Sequence, residues 1–326
     1  MKINPLDVKN IQSLLKVGEK EALNILEKAV AGGETTYDEA NIWFEERLKP
    51  NVVFLDEEGY AKMCIDALKI TSSVAGTDYG STRQRDMAQL WADTTRGYLG
   101  ELGFKQFLQD KFSIRTELGH EQGELSTYLP LDIHKVQKPN EDLRDPKIKL
   151  GVKATKWNGI WFDIPGDQFI HSDIHVLVKV GAGRDHLFAF LKSLSVFKDK
   201  VLRRGQSIGH ITDTQASDIY EALPNFKSIP AYICGFIKSN ATYKSLDYSG
   251  RLKRESTKTH QRSYTINTWN GPIHDGDLKS VRDKENVTGK MEFVGIGKFA
   301  HDEGYLFNTG NLLWKPQLWS EVVNSL

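Results

Sequence analysis

Cysteine is nearly absent. Only Cys64 and Cys234 occur in 326 residues, each in an apolar run and neither with metal-ligand spacing. That excludes a disulfide framework and reads as two buried thiols in a reducing compartment. Long apolar runs are missing as well. Nothing approaches the roughly 20 residues of a membrane span, and the start MKINPLDVKN is polar, not leader-like. The expectation is a cytoplasmic protein with no membrane partner. Net charge is also lacking: Lys plus Arg and Asp plus Glu each number 43. No global basic field therefore draws the chain to polyanions, and any nucleic-acid contact must come from a local patch. No G-x-x-x-x-G-K-[ST] run and no serine or cysteine nucleophile signature is found, so nothing points to ATP-driven translocation. Internal repeats and low-complexity segments are absent too.

What is present reads as an ordinary globular pattern. Ile11, Leu14, Leu15, Ala22, Ile25 and Leu26 recur at helical intervals, and Gly32-Gly33 ends the run. "TTYDEANIWFEERL" predicts a helix from Thr35 or Thr36. Residues 57–70 predict another, and a long helical pattern runs from Arg83 to Lys111. Strand signals follow in "LPLDI", "IKLGVKAT", "IWFDI", "DIHVLVKV" and "LFAFLKSL". A polar stretch after residue 201 leads to "AYICGFI", "SYTINTW", "MEFVGIGKF" and "GYLFNTGNLLW". This order predicts an α/β (α+β) fold. Its expected regions are an N-terminal helical region (1–80), a core with a mixed sheet flanked by helices (81–200) and a β-rich C-terminal region (201–326).

Two charges sit in the strand-like runs, where charge is costly unless paired or used. In "IKLGVKAT", Ile148, Leu150, Val152 and Ala154 share one face; Lys149, Gly151, Lys153 and Thr155 share the other. In "LPLDI", Asp132 points opposite Leu131 and Ile133. If the strands are neighbours, Asp132 comes near Lys153, either as a structural ion pair or as a cation-holding carboxylate beside a phosphate-stabilising lysine. A third charge lies on the long helix. Met87, Leu90, Trp91, Thr94, Tyr98, Leu102 and Leu108 fall in one arc, and Glu101 falls inside it. Its partner is either the shared site or Lys105, one turn on. Gly97, Gly100 and Gly103 are expected to bring this helix close to the sheet.

A glutamate on a helix before the sheet, an aspartate on one strand and a lysine on the next resemble the PD-(D/E)XK nuclease superfamily, which includes most type II restriction endonucleases. The segments are "GYLGELGFKQFL", "LPLDI", "LGVKATKW" and "DIHVLVKV", spanning about residues 84–195. The resemblance implies a restriction-endonuclease-like core and Mg²⁺-dependent cleavage of phosphodiester bonds. Asp132 and Glu101 would hold the metal, and Glu101, Asp132 and Lys153 would be the catalytic set. Pro130 precedes Asp132 by two residues, and Gly151 stands where the pattern has an acid. Either Glu101 fills that vacancy, or another acid does (Asp163, or the Glu141-Asp142 pair), or the site is dead.

Other stretches carry weaker signals. "HSDIH" puts His171, Asp173 and His175 on one strand face, a span of about 13 Å that is too long for one metal. "VKVGAGRDH" and "VGIGKFA" are partial glycine motifs better explained as tight turns. Residues 250–262 hold five Lys or Arg against one Glu. Arg251, Lys253, Arg254 and Arg262 there are candidate DNA contacts, as are Arg83 and Arg85 at the start of the long helix; a solvated loop and helix capping by Ser81 or Thr82 are the alternatives. The expected activity is a sequence-specific endonuclease on double-stranded DNA, acting as a homodimer. The alternatives are a silent nucleic-acid-binding module of the same fold and a structure-selective repair nuclease.

Overall fold

The computed structural model describes residues 3–77, 86–119, 132–183, 185–241, 243, 247–254, 260–299 and 303–326. Helix α1 (Pro5–Leu15) opens with Asn4, whose side chain accepts from the Leu6 N–H, and with Pro5 in the first turn. Helix α2 (Glu19–Ala31) buries Ala22, Ile25, Leu26 and Ala29, and Gly33 leaves it at φ +75°. Helix α3 (Ala40–Ile42) runs on as a π-helical turn over Trp43–Leu48, so this helix begins at Ala40 and not at Thr35 or Thr36. Strand β1 (Val52–Leu55), α4 (Glu57–Thr77) and α5 (Met87–Phe112) follow. Asp86 caps α5 by accepting from the Gln89 N–H at 2.8 Å; Ser81 and Thr82 lie outside the described residues.

The strands come next: β2 (Arg115–Leu118), β3 (Ile133–Gln137), β4 (Leu150–Lys156) and β5 (Trp161–Pro165). After α6 (Gly166–Phe169) come β6 (Ile174–Val180) and α7 (His186–Ser193). Here "LFAFLKSL" corrects the reading as a strand: it is helix α7. A five-residue apolar run fits either period, and three-dimensional context decides: Ala189, Phe190 and Lys192 are buried while Phe188 is exposed. Helices α8 (Arg203–Ser207) and α9 (Asp213–Ala222) lead to β7 (Ile229–Lys238), β8 (Tyr248–Arg254) and β9 (Arg262–His274). The chain closes with α10 (Asp275–Lys284), β10 (Met291–Phe293), β11 (Glu303–Asn308) and α11 (Pro316–Ser325).

The result is a mixed α+β fold. One sheet has the order β1-β7-β6-β4, with β4 and β6 parallel and the other pairs antiparallel. A second has the order β10-β9-β11-β5, with β8 also on β9, and β2 pairs with β3. The first sheet takes β1 from the N-terminal span and β7 from the C-terminal span, so boundaries at residues 80 and 200 cut through one sheet. Pairing partners far apart in sequence carry no local signal, which is why the division looked clean.

Three cores result. One face of the first sheet (Leu150, Val152, Val176, Val178, Ile233) packs on α4, α5 and α11, where Trp319 meets Phe104 and Phe107. Each of these three fully buried aromatics contributes about 1.5–3 kcal/mol. The other face (Leu177, Tyr232, Cys234) packs on α1 to α3. Trp161, Trp269, Phe293 and Leu306 build a third core in the second sheet. Helix α5 is buried more broadly than its predicted arc. Leu99, Phe104 and Phe107 are inside, whereas Met87 is 50% exposed. A Cβ on Gly100 would lie 2.6 Å from Ala154 Cβ, and one on Gly103 2.6 Å from Ala231 Cβ. These two glycines permit the close approach; Gly97 faces open space.

Candidate active site

Among the described residues strand β4 is an edge, so the outer backbone groups of alternate residues have no strand partner there. At Val152 that need is met by Asp132: the Val152 N–H donates to Asp132 Oδ2. Asp132 sits in a bend directly before β3, not inside a strand, and β3 pairs with β2. Asp132 therefore reaches β4 through the backbone at its open edge and not across a shared sheet face. Leu129, Pro130 and Leu131 lie outside the described residues.

The next residue, Lys153, projects from the face shared with His175 and Leu177, and its Nζ donates to Gln168 Oε1 on α6. Gly151 looks the same way. A Cβ there would lie 2.9 Å from Ser172 Oγ and 3.1 Å from His175 Nδ1, so a hydroxyl and an imidazole occupy the space of the missing acid. His175 Nε2 donates to the Phe169 carbonyl at 3.0 Å, leaving Nδ1 as the unprotonated nitrogen in the neutral ring. Burial lowers the His175 pKa; the Phe169 carbonyl opposes this, and the Lys153 charge adds to the lowering.

Glu101 is 8% exposed on α5. Its neighbour Gly100 rests on Ala154, so the helix covers the face of β4 opposite to Lys153. Helix α5 and Lys153 thus lie on opposite faces of β4, with Asp132 at the edge between them. For Lys105, burial lowers the pKa first and Arg115 next, while the acid that counters them is Glu117.

The other acids considered for the Gly151 vacancy stand elsewhere. Asp163 pairs in register with Leu306 and faces the third core. Glu141 bonds Arg144 at 3.1 Å in an exposed loop that also holds Asp142. Asp173 of "HSDIH", not one of those acids, accepts from the Lys149 N–H at 2.7 Å and ties the starts of β4 and β6 together. Among the described residues no group of three or more His, Cys, Asp or Glu could hold a metal ion. In the β6–α7 turn, His186 Nδ1 accepts from the Gly183 N–H at 2.7 Å, closing the loop upon itself.

The described ends of the basic segment lie on β8 and β9, which pair antiparallel; residues 255–259 lie outside the described residues. Arg251 and Lys253 pair with Thr265 and Ser263 on one face; Arg254 pairs with Arg262 on the face of Tyr264. The four cations are therefore split two and two. Arg83 and Arg85 lie outside the described residues.

A second charged centre lies deeper on the same sheet face. Lys179 of β6 pairs with Glu34, with side chains 3% and 0% exposed. Glu34 also accepts from Tyr232 Oη at 3.0 Å and Trp43 Nε1 at 3.2 Å. Arg47 donates to the carbonyls of Cys234 (3.1 Å) and Thr309 (2.7 Å), and lies over the Trp314 ring. Burial alone would raise the Glu34 carboxyl, but Lys179 and then Arg47 bring it down to about 2. Lys179 carries the same sequence signal as Lys153, a lysine in a buried strand. Gln168 and Glu34 sit in segments without a periodic pattern and gave no signal.

Fold and site together define a mixed α+β protein with a carboxylate at the open edge of a parallel strand pair and a lysine beside it. Comparison with protein-family models, curated proteins and solved structures finds no match. Among the described residues no helix is long and apolar enough to cross a membrane.

Proposed function

We propose that the chain is a Mg²⁺-dependent, sequence-specific endonuclease of the PD-(D/E)XK kind, cutting double-stranded DNA as a homodimer. The observation that carries this reading is the meeting of Asp132, Lys153 and the Glu101 helix on residues 152–154 of β4. The order helix, two paired strands, edge strand, a strand given to the second sheet, short helix and parallel strand supports it. Asp132 holds the Val152 N–H with Oδ2 and so stands at the edge of β4. Two carboxylates with substrate phosphate and water suit Mg²⁺, which rarely takes a complete protein cage. Asp132 and Glu101 would hold it, and the ion would supply Lewis-acid polarisation of the scissile phosphate. Lys153, oriented by Gln168, offsets the charge that develops on the phosphoryl oxygens. The Arg251–Lys253 face contacts backbone phosphates, with Arg254 and Arg262 at the end of the β8–β9 pair. Two copies related by a two-fold axis would present one site to each strand.

The crowding at Gly151 favours a second reading, a silent DNA-binding module of the same fold. The two are separated by incubating supercoiled plasmid and unmethylated phage DNA with wild type or Lys153→Ala, in Mg²⁺, Mn²⁺ or EDTA. Discrete metal-dependent fragments from wild type alone are expected. Cutting by Lys153→Ala at a rate near that of wild type removes the assignment, and DNA binding without any cutting by wild type establishes the module.

A further inference from the structure

The second sheet carries a cavity of about 460 Å³ between α10 and the edge strand β10. Its size falls within the range of small-molecule sites, about 300–1,000 Å³. Three cations line it (Lys279, Arg282 and Lys298), and no carboxylate is among its described lining residues. Clefts lined by one sign of charge concentrate counter-ions. Among the described residues Lys279 and Lys298 have no ion-pair or hydrogen-bond partner, and both are exposed. Arg282 is held in place: its Nη1 donates to the carbonyls of Val287 (3.2 Å) and Gly289 (3.0 Å). The rest of its guanidinium edge is thereby set in a fixed direction. Leu278, Met291, Phe293 and Phe299 supply apolar surface, with the two phenyl rings 6.2 Å apart. The first turn of α10 adds its positive end through Gly276.

Cations without acids select a phosphate, and a phenyl–thioether wall selects a flat ring. A bare anion would leave that wall unused, and an uncharged ring would leave the cations unused. We propose that this cavity binds a nucleotide, with the phosphate on Lys279, Arg282 and Lys298 and the base against Phe299. The ligand is either a free nucleoside monophosphate or a nucleotide presented by a DNA strand. The site faces the Tyr264 side of the sheet, away from Arg251 and Lys253, and is separate from the β4 edge.

The test is calorimetric titration of the full chain with deoxyadenosine and thymidine 5′-monophosphates, the matching nucleosides and inorganic phosphate. A single-stranded oligonucleotide carrying 2-aminopurine is titrated in parallel by fluorescence. Lys279→Glu/Lys298→Glu changes only exposed side chains, and Phe299→Ala removes the ring contact. A free-nucleotide site shows monophosphates binding more tightly than nucleoside or phosphate, weakened at least about tenfold by the double charge reversal. A strand-presented site shows this loss for the oligonucleotide alone. In both cases Phe299→Ala weakens binding further for base-bearing probes than for phosphate. Equal binding by wild type and the double variant for every probe, no binding at all, or phosphate binding as tightly as the monophosphates overturns the proposal. Lys153→Ala should bind as wild type does, so the outcome is independent of cleavage.

Discussion

Lys153 and Lys179 stand on neighbouring parallel strands, on the same sheet face, each beside residues that read as buried. Their surroundings differ in one respect. Lys179 is enclosed with Glu34, and that carboxylate is in turn engaged by Tyr232 and Trp43. Lys153 is half-buried on an edge strand, held by a neutral amide, with a carboxylate at the adjacent backbone N–H. A charge enclosed with its counter-charge fastens two layers together, here α1 to α3 against the sheet. A half-buried charge on an edge strand lies within reach of solvent and of whatever docks there. The burial of a lysine in a strand therefore says that it has a task, and the partner says which.

This contrast can be broken from either side. Lys179→Met removes the counter-charge of a buried carboxylate and should cost about 3–5 kcal/mol in urea unfolding; a loss under about 1 kcal/mol would show that Arg47 alone suffices for Glu34. Lys153→Ala should leave stability within about 1 kcal/mol and lower metal-dependent cleavage about 10²–10³-fold. If both variants lost stability equally, the distinction between the two lysines would fail.

Acid provides a graded version. Glu34 is held at about 2 against an ordinary 4.5, so its contribution is complete above pH 4.5 and is lost as pH falls toward 2. The loss over that window should be about 3 kcal/mol. Urea midpoints at pH 5 and pH 3 should diverge for wild type and less so for Glu34→Gln, and parallel behaviour of the two would sink the idea. The smallest effect is expected where helix meets sheet. Gly100→Val presses on Ala154 and should destabilise by about 1–3 kcal/mol, read as a lowered thermal midpoint.

Much of the first sheet was legible in the sequence, because β4 and β6 announce themselves by an alternating and a continuous apolar run. Lys153 and Glu101 were legible for the same reason: each breaks a pattern that its neighbours define. The position of Asp132 was legible only as proximity. Its bond to the Val152 N–H depends on β4 being an edge, and edge status follows from the whole strand order. Helix α7 was misread because "LFAFL" is too short for its period to speak. The cluster around Arg47, Thr309 and Cys234 was illegible, since it joins backbone carbonyls from segments that meet only after folding.

Strand β7 has a consequence for how the molecule comes to be made. It lies between β6 and β1, so the sheet stays incomplete until residue 238 has been synthesised. Pairings this distant in sequence slow folding. During that interval β6, whose seven residues are all buried in the finished protein, waits with one edge open. Apolar strands with open edges recruit other chains. A fragment ending at residue 200 would hold every residue of the proposed site and would also be an aggregation template, so the site depends on the C-terminal span for a closed sheet.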